Sequence, residues 1–168
     1  VDKIFMEGLV RLNGSELNPG AALSWEWNGN NTQITFKLRE DCYWSDGVQV
    51  TAQDFVYGFQ RLADPATAAP YSWVLDGFVP NASEIIAGEK PVTELGVSAP
   101  DDFTFVIDFL TPAPFYLSFL DMPCFYPARR DLVEQYGAQY ATSADKLVCN
   151  GPFVVTEYIP DEKIVYAK

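Results

Sequence analysis

Catalysis needs reactive groups at workable spacing, and this chain offers few. It has no histidine, which excludes Ser-His-Asp and Cys-His nucleophile arrangements. Carboxylates pair at Glu40-Asp41 and Asp101-Asp102. A glycosidase needs two carboxyl groups facing each other across roughly 5–10 Å, and adjacent strand residues point to opposite faces. Both pairs fall at strand ends, where solvated turn and cap roles are ordinary. Gly14 and Gly20 stand alone, so no glycine-rich loop resembles a phosphate cradle. Cys42, Cys124 and Cys149 fit no zinc spacing. No catalytic group, cofactor or metal is therefore expected. The aromatic residues are more informative. They make up 15% of the chain, more than a small core needs. Most, including the Phe103–Phe109 face, belong to a core. Tyr71, Trp73, Phe115 and Tyr116 sit instead in proline-rich stretches. There they either line a cleft that accepts apolar side chains or pack as loop aromatics on a neighbouring helix.

Length and charge bound the rest. A chain of 168 residues makes one domain or one and a half and buries enough surface for an ordinary core. Its net charge of −12 argues against nucleic acid, whose phosphates need Lys and Arg. It also argues against anionic lipid. A solubilised surface accounts for it. No apolar run approaches the roughly 18–20 residues that cross a bilayer. The chain opens directly on an apolar-periodic segment, without a signal peptide. The cysteines allow either one pair with an odd thiol or three buried free thiols acting as small hydrophobes.

The elements that must position these residues are organised around residues 42–57. Ser45-Asp46-Gly47 supplies a tight turn. Thr51 caps a helix, with Asp54 three places on as the acidic half of a capping box. Phe55, Val56, Phe59 and Leu62 recur at helical spacing, and the helix ends before Asp64-Pro65. Upstream, residues 1–12 read as a helical turn running into a short strand, Leu9 to Leu12. Leu17 to Leu23 reads as a loop around Pro19-Gly20. Trp25 and Trp27 suggest a strand, Asn28 to Asn31 a hairpin turn, and Ile34, Phe36 and Leu38 a half-buried antiparallel strand. Downstream, a short helix is expected near Trp73. Another opens at Pro80 or Asn81 and runs through Ile86 to a stop at Gly88. Val92 to Val97 is a connector. Phe103, Phe105, Ile107 and Phe109 share one face of a second alternating strand. Phe115 to Leu120 is a short helix, Phe125-Tyr126-Pro127 a brief strand, and Leu132 to Tyr136 a helix ended by Gly137. Phe153 to Tyr158 and Lys163 to Tyr166 form a hairpin around Pro160-Asp161.

One set of motifs is more specific than any of these. Trp44-Ser45-Asp46-Gly47 is followed by T-A-x-D-F-V-Y from Thr51, R-L-A-D-P from Arg61 and A-x-P-Y ending at Tyr71. Then come Ile85-Ile86-Ala87-Gly88-Glu89-Lys90-Pro91, Glu94-Leu95-Gly96-Val97 and Asn150-Gly151-Pro152-Phe153. In type and order these resemble the extracytoplasmic solute-binding proteins that serve peptide-importing ABC transporters, the oligopeptide-binding type most of all. Glu7-Gly8-Leu9 also fits, although Met6 stands where the family usually has Phe or Tyr.

The resemblance implies an α+β fold: a mixed, mainly antiparallel sheet with flanking short helices, the second lobe of a class II periplasmic-binding-protein-like architecture. It implies that residues 1–6 lead in from a first lobe, 7–130 form the second, inserted lobe, and 131–168 return to the first. The third lobe, which carries the salt bridges to peptide termini in the family, lies outside the chain. So do the signal peptide and the lipidated cysteine. Tyr71, as the tyrosine of A-x-P-Y, lies at the mouth of the peptide cleft, and Trp73 and Tyr116 join it as peptide-binding candidates. The implied function is capture of oligopeptides outside the cytoplasm, in the periplasm or at a lipid-anchored surface, by a monomer that delivers them to the membrane permease of an ABC importer. Within the family a dipeptide, nickel complex or oligosaccharide is the alternative ligand. Outside it, an exported hydrolase or a carbohydrate-binding module is. If a cysteine pair forms, Cys124–Cys149 is the expected one, since both precede segments that the family brings together near its hinge, although family members do not generally carry Cys at these positions.

Overall fold

Alternation of apolar and polar residues builds the central sheet. A computed structural model describes residues 2–160 and 162–168. In it β1 (Val10–Asn13) and β2 (Glu16–Pro19) form a hairpin. β3 (Ala22–Trp27), β4 (Gln33–Leu38), β5 (Val97–Asp101) and β6 (Thr104–Asp108) form a four-stranded antiparallel sheet in the order β3-β4-β6-β5. The register sets Trp25 opposite Phe36, Phe36 opposite Phe105 and Ile34 opposite Ile107. One face is thereby a continuous aromatic and aliphatic surface. Helix α1 (Ala52–Ala63) lies against it, and Phe55 and Phe59 each pack on Phe105. These three phenylalanines are fully buried, and each is worth about 1.5–3 kcal/mol of transfer free energy.

The turn before α1 behaves as its residue types require. Gly47 has φ +86°, a region glycine enters without steric cost. Trp44 is buried, and its indole N–H donates to Asp54 Oδ2 at 3.1 Å. The same oxygen accepts the Thr51 N–H at 3.0 Å, satisfying a donor that the helix start leaves open. Helices α2 (Ala82–Ile86) and α3 (Arg130–Tyr136) are short. The final hairpin pairs β7 (Val154–Ile159) with β8 (Lys163–Ala167). Asp161, expected in its turn, lies outside the described residues. The fold is α+β, with antiparallel sheets and flanking helices.

Four local expectations are corrected. Leu17–Leu23 is not a loop: it holds β2 and the start of β3, because Gly20, Ala21 and Ala22 donate to the carbonyls of Leu9, Gly8 and Leu9. Backbone pairing outweighs the Pro-Gly signal there. The Val92–Val97 connector continues into edge strand β5, where Pro100 is tolerated because an edge need not donate on both sides. Phe125-Tyr126-Pro127 does not pair as a strand. Residues 123–125 form a tight turn, and Pro123 and Pro127 have no N–H to offer a ladder. The strand over Phe103–Phe109 is buried on both faces between Thr104 and Ile107. On the outer face Lys37 reaches across to Thr104 Oγ1 and Gln33 to Asp108 Oδ1.

The apolar interior divides in two. A large cluster runs from Leu9 to Phe125. A small one joins Phe5, Cys149 and Val155. Between them two chain segments run side by side. The Glu7 N–H donates to Asn150 Oδ1, the Asn150 side-chain amide donates to the Glu7 carbonyl, and the Gly151 N–H donates to the Phe5 carbonyl, each at 2.9 Å.

Candidate functional site

The C-terminal half of α1 forms one wall of an apolar cleft of about 350 Å³. Gly58, Arg61 and Leu62 come from the helix. Ala69, Pro70 and Tyr71 come from the loop after it. Pro123, Cys124 and Tyr126 to Ala128 come from the tight turn and its C-terminal extension, and Tyr140 and Leu147 from the later loops. The walls can come this close because Gly58 has no side chain: a Cβ there would stand 2.5 Å from the Tyr126 carbonyl oxygen.

The loop that presents Tyr71 is folded by its own polar groups. The Asp64 carboxylate accepts the Ala66 N–H at 2.9 Å, and its carbonyl accepts the Thr67 N–H at 3.0 Å. Ala68 then adopts φ +50°, a conformation unfavourable for any residue with a Cβ. Tyr71 comes next on the rim, 48% exposed.

Of the three aromatics expected at the site, the structure gathers one into the cleft. Tyr71 lines it. Trp73 is 59% exposed on the adjoining turn, Ser72–Val74, and is not among the lining residues. Tyr116 corrects the expectation that it faces a ligand: it is fully buried. Its ring packs on Phe78, Phe109 and Phe125, and its hydroxyl donates to the Val74 carbonyl at 2.6 Å. The hydroxyl that would have met a peptide is spent on a buried carbonyl, and burial raises its pKa. Tyr116 thus fixes the turn that carries Trp73. Phe115 remains 52% exposed and packs edge-on against Phe78 and Phe119.

Sequence reasoning missed Arg61 and Tyr140. The Arg61 guanidinium stands 5.6 Å from the centroid of the Tyr140 ring, within cation–π range. Burial raises the pKa of the Tyr140 hydroxyl and Arg61 partly offsets it. Arg61 was visible inside R-L-A-D-P, whereas Tyr140 lies in a loop with no periodic signal. The Cys124–Cys149 pairing is not formed: all three cysteines are free thiols. Burial pushes the Cys124 thiol up to about 11, so it is protonated and unreactive at neutral pH.

Behind the cleft a charge cluster joins the turn before α1 to α3. Arg129, almost fully buried, donates from Nη1 to both oxygens of Asp46, at 3.1 and 2.9 Å, and from Nε and Nη2 to Asp131, at 2.8 and 2.7 Å. Among the described residues no helix is long and apolar enough to cross a membrane.

Comparison with known proteins places this arrangement. The periplasmic oligopeptide-binding protein OppA of Salmonella typhimurium is 40% identical over 167 residues, covering 98% of this chain and 30% of that protein. The periplasmic murein peptide-binding protein MppA of Escherichia coli is 40% identical over 162 residues, covering 95% and 29%. Haemophilus influenzae OppA, solved in complex with the peptide RPPGFSPFR, superposes with a TM-score of 0.92 at 40% identity, over 99% of this chain and 33% of that one. Listeria monocytogenes OppA bound to peptide superposes with a TM-score of 0.93 at 35% identity, over 99% and 33%. The chain spans about 30% of the length of the curated relatives it matches. Residues 16–168 match the family described as bacterial extracellular solute-binding proteins, family 5 Middle. With nearly all of its length inside that match, and with the relatives' fold reproduced, the chain belongs to the family 5 bacterial extracellular solute-binding proteins.

Proposed function

We propose that this chain forms one wall of an oligopeptide-binding cleft in an extracytoplasmic solute-binding protein that hands its ligand to the permease of an ABC importer. The observation that carries this reading is Tyr71 on the rim of an apolar cleft, in a chain similar to proteins solved with peptide bound. Tyr71 and Trp73 face the peptide, and Tyr116 holds their loop from behind. Residues 1–6 lead in from a first lobe, 7–130 make the second, and 131–168 return to the first. The separation of the two apolar clusters and the side-by-side segments at Glu7 and Asn150 support that division. The ligand leaves unchanged, so the role is capture and not turnover.

A single wall binds weakly. Each hydrogen bond to an extended peptide nets about 0.5–1.5 kcal/mol, whereas micromolar affinity needs about 8 kcal/mol. Titration of the chain with a short peptide, monitored by NMR, should shift Tyr71 and Trp73 resonances with millimolar saturation, and Tyr71→Ala should abolish the effect. Micromolar binding by calorimetry would refute the single-wall reading. Peptide hydrolysis would refute capture without turnover.

A further inference from the structure

The chain has five arginines. Arg11 pairs with Glu7, Arg39 with Asp41, Arg129 with Asp46 and Asp131, and Arg130 with Glu134. Among the described residues, Arg61 alone of the five has no carboxylate partner. The nearby acids are otherwise occupied: Asp64 turns to the Ala66 N–H, and Glu134 pairs with Arg130. Among the described residues, Arg61 is also the only charged one lining the cleft, in a chain whose net charge is −12. Arg61 is half-buried, and its guanidinium carbon lies over the Tyr140 ring. A cation–π contact of this kind uses the charge of the group and leaves its planar fork of N–H donors, which match a carboxylate in geometry. A cation held by a ring, between apolar walls and without a counter-charge, is a preorganised carboxylate receptor.

We infer that Arg61 receives a carboxylate of the ligand, so that the cleft favours peptides carrying an acidic group beside the side chain that meets Tyr71. This rests on the peptide reading of the cleft and adds a ligand preference to it. The carboxylate is either an acidic side chain or the peptide's C-terminus, and the two are separable. NMR titrations of the chain would compare three N-acetylated tripeptides: Ala-Phe-Glu amide, Ala-Phe-Gln amide, and Ala-Phe-Gln with a free C-terminus. The net charge of the protein favours the neutral peptide, so a preference for the acidic one has the opposite sign to the general field. We expect one of the two carboxylate peptides to bind at least about fivefold tighter than the neutral amide. Which one does so identifies the source. Arg61→Met should remove the difference while the neutral amide still shifts Tyr71, and Arg61→Lys should keep part of it. The Arg61 Nε–H resonance of the unmodified chain should move with the carboxylate peptide and not with the neutral one, which decides the matter if the variants do not fold. Equal affinities with Tyr71 still shifting would overturn the role of Arg61 and leave the peptide cleft standing. No shift at Tyr71 with any of the three would overturn both.

Discussion

Asp54 and Arg129 show how single side chains hold the cleft's supporting turn. One oxygen of Asp54 accepts both the Thr51 N–H and the Trp44 indole N–H. Alanine would leave a buried indole donor and a helix-start donor unpaired. Asp54→Ala should therefore cost about 1–3 kcal/mol, whereas Asp54→Asn keeps an accepting oxygen and should recover most of it. Urea denaturation of the two variants decides this, and equal losses would refute it. The charges act in opposite senses with pH. Burial raises the pKa of Asp54 in the folded state. The folded chain thus binds this proton more readily than the unfolded one, and the contribution of Asp54 to stability falls as pH rises through its folded value. Hydrogen bonding from Arg129 lowers the pKa of Asp131. That contribution is present above the unfolded value of about 3.9 and is lost as pH falls through the folded one. Arg129→Met should cost about 1–2 kcal/mol at neutral pH, a modest loss because Asp46 and Asp131 remain partly in water. The variant should also lose less further stability than the parent as pH falls below about 4. Parallel acid-denaturation curves would refute the coupling.

Among the elements, α1 decides the width of the cleft. Gly58→Ala would gain roughly 1 kcal/mol of helix propensity, yet its methyl meets the Tyr126 carbonyl oxygen, which belongs to backbone and cannot rotate away. We expect net destabilisation of about 1–3 kcal/mol, read as a lowered urea midpoint. A raised midpoint would show that the 126–127 segment yields freely. The helix itself was legible in the sequence. Thr51, Asp54 and the Phe55–Leu62 spacing marked its start and its buried face, and Asp64-Pro65 marked its end. The alternation in β4 and β6 was equally plain. β2 and β5 were not legible, because their pairing depends on partners distant in the chain and their own residues, Pro19 and Pro100 among them, argue against strands. At the site, Tyr71 was reached through the family resemblance, as the tyrosine of A-x-P-Y. The burial of Tyr116 was not, because a tyrosine in a proline-rich stretch looks the same whether its hydroxyl meets a ligand or the Val74 carbonyl. The position of Arg61 over Tyr140 depends on a contact between residues far apart in the chain.

At the scale of the whole molecule, the two apolar clusters differ greatly in size. A two-stranded hairpin is marginal without support, and β7–β8 leans on the smaller cluster. Its amides should exchange with solvent at least about tenfold faster than those of β4 and β6, as measured by hydrogen-exchange NMR. Equal protection would mean that the molecule opens as one unit. Glu7 and Asn150 are clasped together, with Phe5 beside Gly151, so the two ends of the stretch between them are held side by side. A body attached in this way is a cartridge. Genetic exchange between related receptors needs only two splice points, both within one small patch, to replace the whole stretch between them while the host's own thread stays intact.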